Sequence, residues 1–141
     1  MWLREKKMLN NFQVNIFPVW KKEIYDIIWY ELEIIVDWES LSFDATGYTT
    51  PTEPYSDIYH EFFDKYIFGI IKNTFAKICV DDFSKEAFKN WVQDLRIKYE
   101  EWITPYIPFD YKSGSLYVNL SPTTDNSSRE QDLQDFIEKN L

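Results

Sequence analysis

The apolar residues between positions 54 and 79 recur three and four residues apart, which is the spacing of one face of an α-helix. The apolar face comprises Ile58, Tyr59, Phe62, Phe63, Tyr66, Ile67, Ile70 and Ile71. A helix with so broad an apolar face is buried or packs against two neighbours. The segment therefore predicts a central helix in a core made mainly of helices.

Two other segments show helical spacing. Residues 18–39 carry apolar side chains at that spacing, although residues 30–36 also alternate and could form a strand. The other predicted helix begins with Ser84 as its N-cap and ends before Pro105. Its apolar stripe comprises Phe88, Trp91, Val92, Leu95, Tyr99 and Trp102.

Two short segments, residues 12–17 and 113–121, alternate apolar and polar side chains and predict strands that could pair with each other. The alternating apolar residues are Phe12, Val14 and Ile16 in the first segment and Leu116, Val118 and Leu120 in the second. The sequence therefore predicts a mainly α fold: a small helical domain of three to four helices with a minor two-stranded β element.

The length of 141 residues suits a single domain. We expect residues 1–121 to form one mainly helical domain, and residues 122–141 to form a polar linker and a C-terminal amphipathic helix. Leu133 and Phe136 lie on the apolar side of that helix, which predicts a contact with another subunit.

The acidic residues are concentrated in one segment. Residues 23–64 contain eleven carboxylates and neither Lys nor Arg, whereas the whole chain has a formal net charge of −9. Nucleic-acid-binding proteins normally carry the opposite sign. The acidic segment predicts a protein partner with a basic surface rather than direct contact with nucleic acid.

Few residues suggest catalysis or metal binding. His60 and Asp64 are one helical turn apart, but His60 is the single histidine, so the pair is better explained as the polar edge of a helix than as a metal site. Cys79 is the single cysteine, and two aspartates follow it closely, which disfavours a thiolate nucleophile. We expect no enzyme activity, no cofactor and no metal.

Aromatic residues are interspersed among the carboxylates, and such mixtures favour protein-binding surfaces. The alternative is that the aromatic rings point into the core and the carboxylates point into solvent. The candidate protein-binding residues are Trp38, Glu39, Phe43, Asp44, Tyr48, Glu53, Tyr55, Asp57 and Glu61, together with Leu133 and Phe136 of the C-terminal helix.

These features predict a non-enzymatic structural or adaptor subunit of a larger assembly, either an oligomer or a hetero-complex. The composition resembles that of tailed-phage virion proteins such as head–tail connector rings, which is an analogy of composition alone. One alternative is an acidic inhibitor that mimics nucleic acid and blocks a host nuclease. Another is a carboxylate-dependent enzyme. No apolar run approaches the roughly 20 residues of a membrane span, so we expect no membrane contact. The single cysteine and the lack of an apolar signal segment predict an intracellular, cytoplasmic protein, which could be incorporated in a virion.

Overall fold

The computed structural model describes residues 3–44, 55–100, 106–124 and 127–140, without the side chains of residues 55–57. Within these ranges the chain is an α/β protein with four continuous helices and a four-stranded mixed sheet. The elements are α1 (Leu3–Asn11), α2 (Phe17–Ile28), β1 (Glu33–Val36), α3 (Tyr55–Phe63), α4 (Gly69–Ile78), α5 (Asp82–Trp91), β2 (Asp94–Lys98), β3 (Phe109–Lys112), β4 (Ser115–Asn119) and α6 (Arg129–Asn140).

Two five-residue π-helical segments make α1 continuous with α2 and α3 continuous with α4. They span Phe12–Ile16 and Asp64–Phe68. In a π turn the amide donates to the carbonyl five residues back, so the helix holds one extra residue. The second segment ends at Gly69, where an added Cβ would lie 2.1 Å from the carbonyl oxygen of Asp64. Glycine is therefore required at this position.

The predicted strand at residues 12–17 is wrong, because these residues continue the first helix. Helical geometry buries the ring of Phe12 completely and leaves Val14 58% exposed, whereas a half-buried strand would place both on one face. The apolar residues therefore alternate in the sequence without sharing a face: Phe12 enters the core and Val14 faces solvent.

The predicted minor two-stranded element is also wrong. The sheet has four strands in the order β1-β2-β4-β3; the first three are parallel, and β3 runs antiparallel to β4. The hairpin between β3 and β4 turns through Ser113 and Gly114, whose φ angles of 52° and 89° are left-handed. Two left-handed residues in a two-residue loop define a type I′ turn, which matches the twist of the flanking strands.

The strand β2 replaces the second half of the helix predicted to begin at Ser84. The N-cap of helix α5 is Asp81, three residues earlier than the predicted Ser84, and the Asp81 carboxylate accepts a hydrogen bond from the Ser84 amide at 2.7 Å. It ends at Trp91, and the next residues alternate buried Leu95 and Ile97 with exposed Arg96. The apolar residues of this segment fit both the helical spacing and the alternation of a strand. Its pairing with β1 and β4 therefore decides its conformation.

One face of the sheet packs against the helices. The core-facing side chains come from paired positions across all four strands and are Ile34, Val36, Leu95, Ile97, Leu116, Val118 and Phe109. The opposite face includes Glu33, Ile35 and Arg96, which are exposed. Parallel strands are usually covered on both faces, so the described part of this sheet leaves an unusual amount of one face in solvent.

The C-terminal helix α6 packs on this chain's own core. Leu133 and Ile137 are fully buried and belong to the same apolar cluster as the helices α3 and α4. The buried Arg129 donates from Nη1 to the carbonyl oxygens of Tyr66 at 3.0 Å and Ser121 at 2.9 Å. These bonds join the start of α6 to the end of the sheet and to the second π segment.

An ion pair between Lys77 of α4 and Glu130 of α6 predicts a pH dependence of stability. The two side chains are 2.7 Å apart, and the hydrogen bond from Lys77 lowers the pKa of Glu130 below its ordinary value of 4.5. A lowered native pKa means that this stabilisation is present above about pH 4.5 and is lost as the pH falls through the native pKa. Since both side chains are partly exposed, it is worth less than about 1 kcal/mol.

We therefore expect Glu130→Gln to reduce the loss of thermal stability between pH 7 and pH 3. Melting temperatures measured across this range test the prediction. Glu138→Gln on the exposed side of α6 is the control, because Glu138 has no cation among its described contacts. Equal acid sensitivity in the native chain and in Glu130→Gln would contradict it.

Candidate functional site

Strands β1 and β3 are the two edges of the sheet, and the β1 edge has no further partner strand among the described residues. Strand β1 pairs with β2 on one side only, and the amide of Asp37 donates to the carbonyl oxygen of Ile97 at 2.9 Å. In a parallel ladder alternate residues point to the same neighbour, so the odd-numbered residues of β1 bond to β2. The amide and carbonyl groups of Ile34 and Val36 therefore point away from the sheet, and no described group bonds to them.

A groove of about 510 Å³ lies beside this edge. Helix α2 forms one wall, and the chain that enters and begins β1 forms the other. The residues that line the groove are Lys21, Lys22, Ile24, Tyr25, Tyr30, Glu31, Leu32, Glu33 and Ile34. Apolar side chains thus line part of the groove, and charged side chains of both signs stand at its rim.

Two residues form the turn that leads from α2 towards β1. Trp29 ends α2 in a left-handed conformation with φ of 64°, and its amide donates to the carbonyl oxygen of Tyr25 at 2.8 Å. Tyr30 then points inward, where its hydroxyl donates to the carbonyl oxygen of Val92 at 2.7 Å. Burial raises the pKa of the Tyr30 phenol, so it stays a neutral donor at physiological pH.

The open edge is strongly acidic. Glu31, Glu33, Asp37 and Glu39 are all exposed, and we call these four residues the acidic edge. None of them lies within 4.0 Å of a cationic side chain among the described residues. The acidic edge therefore presents a local negative potential that a cationic partner could neutralise.

The structure places the predicted aromatic residues Trp38 and Phe43 partly inside the molecule. The Trp38 ring is 5.0 Å from that of Phe17 and 5.8 Å from that of Phe12. The Phe43 ring packs edge-on against Tyr59 at 4.6 Å, and the Tyr59 hydroxyl donates to the Phe43 carbonyl oxygen at 3.0 Å. Both rings are half-buried, so they stabilise the chain besides any role at a surface.

The other candidate residues fall into three groups. Glu39 belongs to the acidic edge, and Asp44 and Glu61 are exposed elsewhere on the surface. Leu133 is fully buried within this chain, so Phe136 is the residue of that pair that reaches the surface, in part. Tyr48 and Glu53 lie outside the described residues, as do the side chains of Tyr55 and Asp57.

His60 and Asp64 contact each other across one helical turn. The His60 Nε2 atom is 3.0 Å from the Asp64 Oδ2 atom, and the Trp20 indole donates to Asp64 Oδ1 at 2.8 Å. Partial burial raises the Asp64 pKa, while His60 and the Trp20 hydrogen bond oppose that shift. Among the described residues no group of three or more His, Cys, Asp or Glu side chains could hold a metal ion.

Cys79 has the properties of a core residue. It is buried at the end of α4, and burial raises its thiol pKa to about 11. A thiol with this pKa is almost wholly protonated at neutral pH and is a poor nucleophile.

Sequence reasoning missed two surface features. The outward amides of β1 could have been suspected from the alternation of residues 30–36, which already suggested a strand. Three large apolar side chains near the ends of α2, α4 and α5 are also exposed: Trp29, Val80 and Phe83, at 63%, 69% and 84%. The Lys85 Nζ atom lies 3.2 Å from the centroid of the Trp29 ring and covers one face of it.

The fold and site together define an α/β protein with an acidic open strand edge. No family model, curated protein or solved structure matches this chain. Within the described ranges no helix is both long enough and apolar enough to cross a membrane.

Proposed function

We propose that this protein is a non-enzymatic binding subunit that recognises a basic segment of a partner protein through its acidic edge. The observation that carries the proposal is the position of four exposed carboxylates in and beside the edge strand β1, none of which lies within 4.0 Å of a cationic group among the described residues. Such a charge array steers a basic partner towards the site and selects against acidic partners. The outward amides and carbonyls of Ile34 and Val36 at the same edge can form hydrogen bonds, which are directional, whereas charge attraction is not.

The charge distribution favours a different protein over a second copy as the partner at this edge. Two copies joined by their β1 edges would bring two sets of like charges together, and like charges on facing strands are destabilising. A structural or adaptor subunit that binds a basic partner needs no such contact. The phage-connector role is a narrower form of this proposal, and the acidic inhibitor of a host nuclease and the carboxylate-dependent enzyme remain its alternatives.

Neutralising the acidic edge is expected to weaken binding to a basic peptide about tenfold or more. The variant combines Glu31→Gln, Glu33→Gln, Asp37→Asn and Glu39→Gln, and the probe is a labelled ten-residue peptide that alternates lysine and valine. Surface ion pairs are each worth roughly 0.2–1 kcal/mol, so losing several should change the dissociation constant by this factor. Fluorescence anisotropy at an ionic strength of about 0.1 M gives the dissociation constants.

A second variant with the same change in net charge is the control. It neutralises four carboxylates that are exposed elsewhere: Glu86, Asp110, Asp135 and Glu138. We expect this control to bind the peptide within about twofold of the native chain, because screening at a Debye length of roughly 10 Å limits distant effects. Equal weakening in the two variants would show that net charge alone, not this edge, attracts the peptide.

The molar mass in solution separates the assembly role from the others. Light scattering across salt concentrations should give a defined oligomer if the chain assembles with itself through other surfaces. A monomer at every salt concentration would favour a hetero-complex or an inhibitor.

A further inference from the structure

We propose that the partner segment binds as an extended strand, which pairs with β1 and becomes the fifth strand of the sheet. The inference rests on the proposed function and specifies how the basic segment is held. Strand addition at an exposed sheet edge obtains affinity from main-chain hydrogen bonds and specificity from alternate side chains. Both components can be derived from the described residues.

The main-chain component comes from Ile34 and Val36. Their outward amides and carbonyls are two residues apart, which is a separation of roughly 6.6 Å along a strand. A partner strand repeats its own bonding groups at the same interval, so it can bond to both residues without distortion. The described part of the chain offers no competing partner for these groups.

The side-chain component follows from the two faces of β1. Ile34 and Val36 point to the core face, where the groove adds Ile24 and Leu32. Glu33 lies on the opposite, exposed face. A bound strand would therefore place apolar side chains towards the groove and basic side chains beside Glu33, because directly opposed side chains of paired strands are about 5 Å apart.

The lysines of α2 also favour apolar over basic side chains at the positions of the bound strand that face the groove. Lys21 and Lys22 line the groove on the helix side, so a basic side chain that pointed towards that wall would meet like charge, whereas Glu31 and Glu33 line the opposite wall. We therefore expect the bound segment to alternate apolar and basic residues in one register only. A one-residue slip would exchange the two sets of side chains and lose both kinds of contact.

The test removes one outward amide of β1 while leaving the ladder to β2 intact. Ile34→Pro deletes the N–H that faces the open edge, and proline is tolerated at such edge positions. Ile34→Ala is the matched control, since it shortens the same side chain and keeps the amide. For the alternating lysine–valine peptide we expect Ile34→Pro to raise the dissociation constant about tenfold or more, and Ile34→Ala to raise it less than about threefold.

The peptide provides a second test that does not depend on the folding of a variant. N-methylation of one backbone amide at a time should abolish binding at every second position and have little effect at the positions between. This period of two is expected because only alternate amides of an added strand face β1. Uniform sensitivity, or none, would overturn the inference.

The outcomes separate this inference from the proposed function. Equal binding by Ile34→Pro and Ile34→Ala, with weakened binding by the neutralised variant, would refute strand addition and leave the acidic edge as a binding surface. A dimer of the native chain that Ile34→Pro converts to a monomer would identify a second copy as the occupant and would refute a foreign strand. No binding of the peptide by the native chain would count against both proposals.

Discussion

Replacing Phe12 by alanine is expected to lower the free energy of unfolding by about 3–5 kcal/mol, the usual range for a fully buried phenylalanine. The Phe12 ring meets Phe63 edge-on at 4.8 Å, stacks on Phe68 at 5.6 Å and lies 5.8 Å from Trp38. It therefore joins the first π segment to α3, to the second π segment and to the turn after β1. Its removal leaves a cavity that these rings cannot fill together.

Chemical denaturation with urea measures this effect, and Val14→Ala is the control from the same π segment. Val14 is exposed, so its truncation should change stability by less than about 0.5 kcal/mol. Similar losses in the two variants would show that the segment is sensitive to any change and that the aromatic cluster has no special role.

Replacing Leu133 by alanine is expected to cost about 2–5 kcal/mol, because its side chain is fully buried where α6 packs on the core. Urea denaturation again gives the magnitude, and Asp135→Ala on the exposed side of α6 should stay within about 0.5 kcal/mol of the native chain. The result also bears on partner binding: under conditions where the variant remains folded, its affinity for the basic peptide should be unchanged. A large loss of affinity with little loss of stability would instead restore Leu133 as a contact residue.

The sequence pattern predicted the helices with wide apolar faces and failed where two periods coincide. The helix at residues 55–78 could be predicted because its apolar face is continuous over many turns. Asp94–Lys98 could not, because Leu95 fits a helical stripe with Phe88, Trp91 and Val92 and also alternates with Arg96 as in a strand. Pairing with β1 and β4, which lie far away in the sequence, decides between them.

The negative charge of the candidate site could be predicted from the sequence, but the direction of its backbone amides could not. The absence of Lys and Arg from residues 23–64 marked the acidic segment at once. The direction of the Ile34 and Val36 amides depends on the register with β2, and that register depends on tertiary packing. Tertiary packing also determines the burial of Trp38 and Phe43. Their rings are half-buried, which the acidic segment around them did not indicate.

The two π segments have a consequence for how this chain can vary in length. Each holds one residue more than an uninterrupted α-helix needs, so loss of a residue there would restore regular helix and keep the following turns facing the same way. Loss of a residue elsewhere in these helices would rotate everything beyond it by about 100°. If the residue were lost from the second π segment, Gly69 would no longer lie against the Asp64 carbonyl, and glycine would no longer be required there. A homologous chain that lacks one residue in the second π segment, and has another residue in place of Gly69, would thus retain the same core.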